Sequence, residues 1–284
     1  MSETMQSWPA LSYFEGLRPG PDETVELAIL AAYSADLTSI GAALLALAGK
    51  DSDAGKGSPS DFADAVEQLR GKVRIVIQRG RLAKMRRTPR IAAVLDQFVR
   101  EVNFDEAQHS WHPKVALVRM GSEEGKSKWR LWVGSRNLTE CVNRDIGMLL
   151  ISGGAGAKPV PGTAALARSL GERAELTGVR SSTLATAVGK LTWRAPVGVT
   201  VAGLRWSDGL APMQIPAPPA GTEEILIVSP FVDRAFLNGQ STAGKDKPRR
   251  TLLTTMREIE RVGPVLSAFD ELLANGFVVE TKEE

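Results

Sequence analysis

Two short stretches, His112-Pro113-Lys114 and Gly134-Ser135-Arg136-Asn137, hold the residue types needed to cleave a phosphate ester through a covalent histidine. An imidazole can attack phosphorus, an ammonium can neutralise nonbridging oxygens, and a hydroxyl with a carboxamide can hold the same phosphate. The chain has two histidines, and of these only His112 is followed two positions on by a lysine. Residues two apart on a strand share a face, so the spacing predicts that His112 and Lys114 project to one side. His109 lies in the same short segment and reads as a loop or strand-entry residue. Cys141, the single cysteine, reads as a small packing residue rather than a nucleophile. Its isolation excludes an internal disulfide and a cysteine zinc cluster.

These groups can act together only if sheet elements carry them. Trp111 to Met120 mixes apolar and polar residues around Val115, Leu117 and Val118, and Trp129 to Val133 alternates, so both read as strands. The link from Gly121 to Lys128 is polar and glycine-bounded, which predicts a hairpin that folds Ser135 and Asn137 back toward His112. Trp129 and Trp132 read as packing under the sheet. Trp111, beside His112, is the tryptophan placed best to line a cleft or stack on a base.

An HxK followed, after a hairpin, by a glycine-serine-x-asparagine turn resembles the repeated signature of the phospholipase D superfamily. Asn143-Arg144-Asp145 resembles that family's later asparagine-x-carboxylate element, which leads into another strand, here Ile146 to Ile151. Upstream, Ala28 to Tyr33 with Ser34 and Asp36 resembles the opening strand and turn, and Val73 to Ile77 the second strand. The similarity spans most of residues 22 to 151. It implies an α/β fold with a mixed sheet flanked by helices and a phosphodiesterase that uses neither metal nor cofactor. His112 would attack phosphorus, Lys114 and Asn137 would hold nonbridging oxygens, Ser135 would bond phosphate or fix the loop, and Asp145 would orient an imidazole.

The chain departs from the family pattern in two places. Arg119 stands where the fuller signature has an aspartate, five residues after the lysine. The family also builds its site from two facing motifs, whereas one is present here. A second imidazole is needed to protonate the leaving oxygen, so the resemblance implies a partner motif from a homodimer or from a C-terminal second half.

The remainder of the chain suggests where such a half begins. Glu224 to Asp233 echoes Leu27 to Asp36: each runs from acidic residues through an apolar strand into a turn holding a serine, an aromatic and an aspartate, as an internal repeat would. After it, Leu252 to Thr255 reads as a strand, Val262 to Ala274 as a helix and Phe277 to Glu280 as another strand. The expected organisation is a first unit over 1–211 carrying both motifs, a linker over 212–221 with four prolines, and the start of a second unit over 222–284. Within the first unit, Phe62 to Leu69 reads as helical, Ala164 to Leu191 as two helices broken near Gly178, and Gly198 to Trp206 as a strand. A length of 284 residues with 43% hydrophobic content can bury one large α/β core or two smaller ones.

Net charge is only +2, so its distribution is more informative than its sum. Arg79, Arg81, Lys84, Arg86, Arg87 and Arg90 fall within twelve residues that include no acid. Lys245, Lys247, Arg249 and Arg250 form a second cluster. Contact with a polyanion explains both, as does a solvated basic face. We therefore expect nucleic acid as the partner, with Arg79, Arg81, Lys84, Arg86 and Trp111 as substrate contacts. The alternatives are a phospholipid hydrolase or transferase of the same fold and a noncatalytic nucleic-acid or protein-binding module. The apolar run from Val25 to Ala48 is interrupted by Glu26, Ser34, Asp36, Thr38 and Ser39, which predicts a strand plus a helix rather than a membrane span. The N-terminus lacks a basic-then-apolar signal pattern, so a cytoplasmic location is expected.

Overall fold

Residues 25 to 32 are apolar at nearly every position, the pattern of a strand covered on both faces. In the computed structural model they lie in β1 (Glu23–Ala32), within a seven-stranded sheet of order β3-β2-β1-β4-β5-β6-β7. The structure describes residues 12–51, 58–83, 92–105, 111–122, 124–140, 145–206, 218–232, 234–241, 248–263, 269–274 and 277–278. The chain divides into two compact units, Met1–Met213 and Gln214–Glu284.

In the larger unit β1 pairs in parallel with β2 (Val73–Gln78), which pairs in parallel with β3 (Val99–Val102). The other edge of β1 takes β4 (Lys114–Ser122) antiparallel, followed by β5 (Ser127–Gly134), β6 (Gly147–Ser152) and the two-residue β7 (Trp193–Arg194). The helical turn α1 (Tyr13–Leu17), α2 (Leu37–Leu47) and α3 (Pro59–Leu69) pack on one face around Leu17, Ile40, Leu44 and Leu69. A short turn, α4 (Ala92–Leu95), precedes β3. Residues of α5 (Thr163–Ala174) and α6 (Ser181–Gly189) join the core on the other face through Leu166, Leu170, Leu184 and Val188. Caps written in the sequence set where helices start. Asp36 accepts from Ser39 N–H at 2.7 Å at the head of α2, and Ser58 with Asp61 forms a capping box ahead of Pro59 in α3.

The smaller unit holds β8 (Glu224–Val228), α7 (Arg234–Ser241), β9 (Arg249–Thr254), α8 (Met256–Val262), β10 (Glu271–Ala274) and β11 (Phe277–Val278). Its sheet has the order β11-β10-β9-β8, with β8, β9 and β10 parallel. Leu237, Ile259 and Val262 from the helices pack with Leu252, Leu272 and Ala274 from one face of that sheet.

The molecule is thus α/β, with a large mixed sheet flanked by helices. Three local expectations differ from it. Residues 271–274 form a strand instead of continuing a helix, because Leu272 and Ala274 alternate into the core and the segment pairs with β9. The stretch from Gly198 to Trp206 joins no sheet; Leu204 N–H donates instead to Pro161 O at 2.7 Å. And β4 begins at Lys114, so His112 precedes the strand. Among the described residues, no helix is long and apolar enough to cross a membrane.

Candidate active site

Three loops meet where β1 ends. The segment from Tyr33 to Asp36 is gripped on both sides, with Ala35 in parallel bridges to Leu82 and to Leu138. Ala35 N–H donates to Arg81 O at 3.2 Å and Ala83 N–H to Ala35 O at 2.8 Å. On the other side Asp36 N–H donates to Leu138 O at 2.9 Å and Leu138 N–H to Ser34 O at 3.2 Å. The Asp36 carboxylate also accepts from Glu140 N–H, so the residue that caps α2 ties down the turn after β5. Tyr33 and Arg81 are thereby fixed beside His112, just ahead of β4.

Lys114 Nζ lies 2.7 Å from His112 Nδ1. The His112 ring sits 4.3 Å from the Tyr33 ring, centroid to centroid and tilted by 40°, and Arg81 Cζ lies 4.8 Å from the Tyr33 centroid on its face. Desolvation holds the His112 imidazole below its ordinary pKa, and the nearby charges of Lys114 and Arg81 push in the same direction. Desolvation also lowers the Lys114 ammonium to about 8, opposed by the negative charge of Asp145. Both influences on His112 favour the neutral imidazole, whose Nδ1 is placed to accept from the Lys114 ammonium.

The turn after β5 is built from the same short motif. Ser135 N–H donates to Ile146 O at 2.8 Å; Ser135 Oγ accepts from Ile146 N–H at 3.0 Å and donates to Asp145 Oδ1 at 2.9 Å. Arg136 Nη1 pairs with Asp145 Oδ2 at 3.1 Å. Both Asp145 oxygens are thus engaged by the turn, and its described partners are Ser135 and Arg136, not the His112 ring. Of the two roles expected for Ser135, the hydrogen bonds match fixing the loop. Gly134 has a packing reason: a Cβ there, or at Gly147, would lie 2.3 or 2.4 Å from the Trp132 ring. Asn137 Oδ1 is buried without a hydrogen-bond partner, a costly state that a bound donor, or rotation of the amide toward a ligand, would relieve.

The expected substrate contacts divide. Arg81 lies in the site, but Arg79, across the left-handed turn at Gly80, donates from Nη1 to Asn103 Oδ1 at 3.0 Å and faces a separate cavity of about 780 Å³. Lys84, Arg86, Arg87, Arg90, His109, Cys141, Asn143, Arg144, Lys245 and Lys247 lie outside the described residues. Trp111 is not a cleft wall: it is 1% exposed and packs with Val115 and Leu117 in the core below α5, because the chain enters β4 with its indole turned inward. In the second basic cluster, Arg250 is buried with its N–H on Asp270 and Arg249 lies 3.5 Å from Glu271, so both serve the fold. Arg119, in place of the family's aspartate, pairs with Glu26 at 2.7 Å near the far end of β4. Tyr33 was missed as a site residue; its signal was an aromatic at the end of an apolar strand, just before the serine and aspartate of the turn. Among the described residues, no cluster of three or more His, Cys, Asp or Glu side chains could hold a metal ion.

A scan against protein-family models finds no match, and neither a search of curated proteins nor one of solved structures finds a similar chain.

Proposed function

We propose that this chain is a phosphodiesterase of phospholipase D type that cleaves nucleic acid through a phosphohistidine. The observation that carries the reading is the Lys114 Nζ to His112 Nδ1 contact of 2.7 Å, with Tyr33 and Arg81 stacked beside it and the loop that carries Asn137 bridged to Ala35 through Leu138. His112 attacks phosphorus, forming an N–P bond as the P–O bond to the leaving nucleoside breaks. Lys114, Arg81 and the Asn137 amide offset charge on the nonbridging oxygens. A second imidazole donates the proton to the leaving oxygen, then takes one from the water that hydrolyses the phosphohistidine. This chain carries one such motif, so in this reading the second imidazole comes from another copy or from a further half, of which residues 222–284 would be the beginning.

The test is cleavage of labelled single- and double-stranded DNA and RNA with EDTA present. We expect turnover that resists the chelator and is abolished by His112→Asn. Turnover on phosphatidylcholine vesicles and none on nucleic acid would move the assignment to lipid. A specific observation favours a second reading, a noncatalytic binding module: Arg119 is committed to Glu26 in the sheet, so the motif's aspartate has no substitute in kind at that position. That reading predicts nucleic-acid binding unchanged by His112→Asn and no turnover under any condition.

A further inference from the structure

A cavity of about 310 Å³ lies against the turn after β5, and its described lining includes Tyr13, Phe14, Trp132, Arg136 and Asp145. Three aromatic side chains and an ion pair therefore share one hollow. Residues 132 and 134 lie on the same face of β5, and the strand register sets Gly147 of β6 opposite Gly134. The two glycines clear the sheet for the indole, since a Cβ at either would fall 2.3 or 2.4 Å from the Trp132 ring. Tyr13 stands edge-on to that ring, with centroids 4.5 Å apart and planes at 70°, and Phe14 follows at 5.5 Å from Tyr13.

The aromatic walls are fixed before any ligand arrives. α1, at five residues, is too short to hold itself. It is tied down at both ends: Ser12 and Glu15 form a capping box at its head, Leu17 is buried at its foot, and Arg130 donates to Gly16 O at 3.3 Å and to Arg18 O. Arg18 in turn makes paired bonds of 3.0 and 2.7 Å to Asp51. Packed interiors leave few voids larger than a water molecule. A hollow of this size against anchored aromatics, with a guanidinium and a carboxylate in its wall, has the composition of a ligand pocket. Burial raises the pKa of the Tyr13 phenol, opposed by the charge of Arg136, so the hydroxyl keeps its proton at neutral pH.

We infer that this cavity receives a nucleobase of the substrate, stacked on the aromatic side chains with its polar edge against Arg136 and Asp145. The inference rests on the phosphodiesterase reading and deepens it, because it assigns a place to the base beside the phosphate. Asp145 borders both places: its carboxylate lines the cavity, and its negative charge acts on Lys114. Arg136 stands between Ser135 and Asn137, so one four-residue turn carries groups suited to a phosphate and also presents a cation to the cavity. Aromatic faces stack on any base, and an arginine beside a carboxylate offers donors and an acceptor to its edge. Among the described residues Arg136 engages Asp145 Oδ2 at 3.1 Å and Thr139 O at 3.5 Å, through two of its N–H groups, and a guanidinium has five. A lipid acyl chain in the same space would strip water from that ion pair and return no hydrogen bond.

The probes are the four deoxynucleoside 5′-monophosphates, with 2-deoxyribose 5-phosphate, which has the same sugar and phosphate but no base, as reference. Titrated into the full chain, at least one nucleotide is expected to bind at least about tenfold more tightly than the sugar phosphate, the scale of gain that one stacked base supplies. The indole N–H resonance of Trp132 should shift, while that of Trp193, buried in the core on the other face of the sheet, stays in place. Tyr13→Ala and, separately, Phe14→Ala, each checked by circular dichroism, should bring the ratio toward one and leave sugar-phosphate binding as it was; Tyr13→Phe, which keeps the ring, should retain the preference. Four results each overturn the inference: no binding of any nucleotide at millimolar concentration; equal affinity for nucleotide and sugar phosphate; nucleotide binding that leaves the Trp132 resonance unmoved; or a preference that survives both alanine variants. Equal affinity with cleavage intact would leave the phosphodiesterase reading standing. Base-dependent binding with no phosphodiester cleavage would sink that reading and leave the pocket.

Discussion

β1 and β8 start alike, each an apolar strand leading through a short turn and then helix, α2 and α3 after β1 and α7 after β8, into a parallel neighbour, yet they end in different surroundings. β1 lies inside its sheet with helices on both faces, whereas β8 is an edge with helices, among the described residues, on one face alone. An apolar strand thus does not by itself specify burial; the partners that reach it do. The same contrast extends to the turns beyond. The turn after β1 is gripped by two other loops and carries Tyr33 against His112, while in the turn after β8 Ser229 bonds locally, its Oγ accepting from Phe231 N–H at 3.3 Å, and Phe231 is exposed.

The largest effect that can break this comparison is catalytic. His112→Asn, against the turn that follows β1, should lower the proposed cleavage by at least about a thousandfold, as loss of a nucleophile does, and Ser229→Ala, in the turn that follows β8, should leave it unchanged. Comparable losses from both, measured in one cleavage assay, would mean that chemistry is not confined to the first turn. Next comes packing. Ile29→Ala should cost about 2–5 kcal/mol in urea unfolding because it opens a hole in a filled core, against about 0.5 kcal/mol or less for Leu226→Ala on an exposed face. Equal costs would show that β8 is covered in solution.

Glycines sharpen the comparison further. Gly147→Ala drives a Cβ into Trp132 and should destabilise the larger unit by about 1–3 kcal/mol. Gly239→Ala meets nothing within 4 Å and, lying in α7, should stabilise by about 0.5–1 kcal/mol. Thermal melts of the two variants should move in opposite directions.

The pH dependence is the smallest and most local test. On the proposed mechanism cleavage requires His112 neutral and Lys114 charged, so its rate should rise with pH through a value below 6.5 and fall again near 8. Lys114→Arg, which stays charged, should remove the alkaline fall. For stability, both groups hold fewer protons folded than unfolded, so stability rises with pH through each window. His112 therefore contributes stability present above 6.5 that is lost as pH falls through its lower folded value, and the Lys114 penalty, full below about 8, fades toward 10.5. In His112→Asn the slope of the urea midpoint below pH 6.5 should flatten, and an unchanged slope would remove His112 as its source.

Much of the site was legible because it is built locally. The hairpin from β4 to β5 follows from alternation and turn chemistry, whereas His112 meets Lys114 from just ahead of the strand on which alternation would have put both. What failed depended on contacts distant in sequence. Trp111 turned inward because α5 and α6 provide a core beneath it. Arg79 and Arg81 parted across a left-handed glycine, one toward β3 and one toward His112.

Periodicity, caps and turn residues act over a few positions, so the chain's own order of amino acids dictates its strands, most of its helices and the chemistry carried at each loop. Which loops meet, which strand becomes an edge and which polar groups face one another rest on pairings between residues tens of positions apart. Ala35 bridging both Leu82 and Leu138 is the clearest instance. No local pattern encodes those distances, because each is settled by the cost of leaving apolar faces and backbone groups without partners in the whole fold.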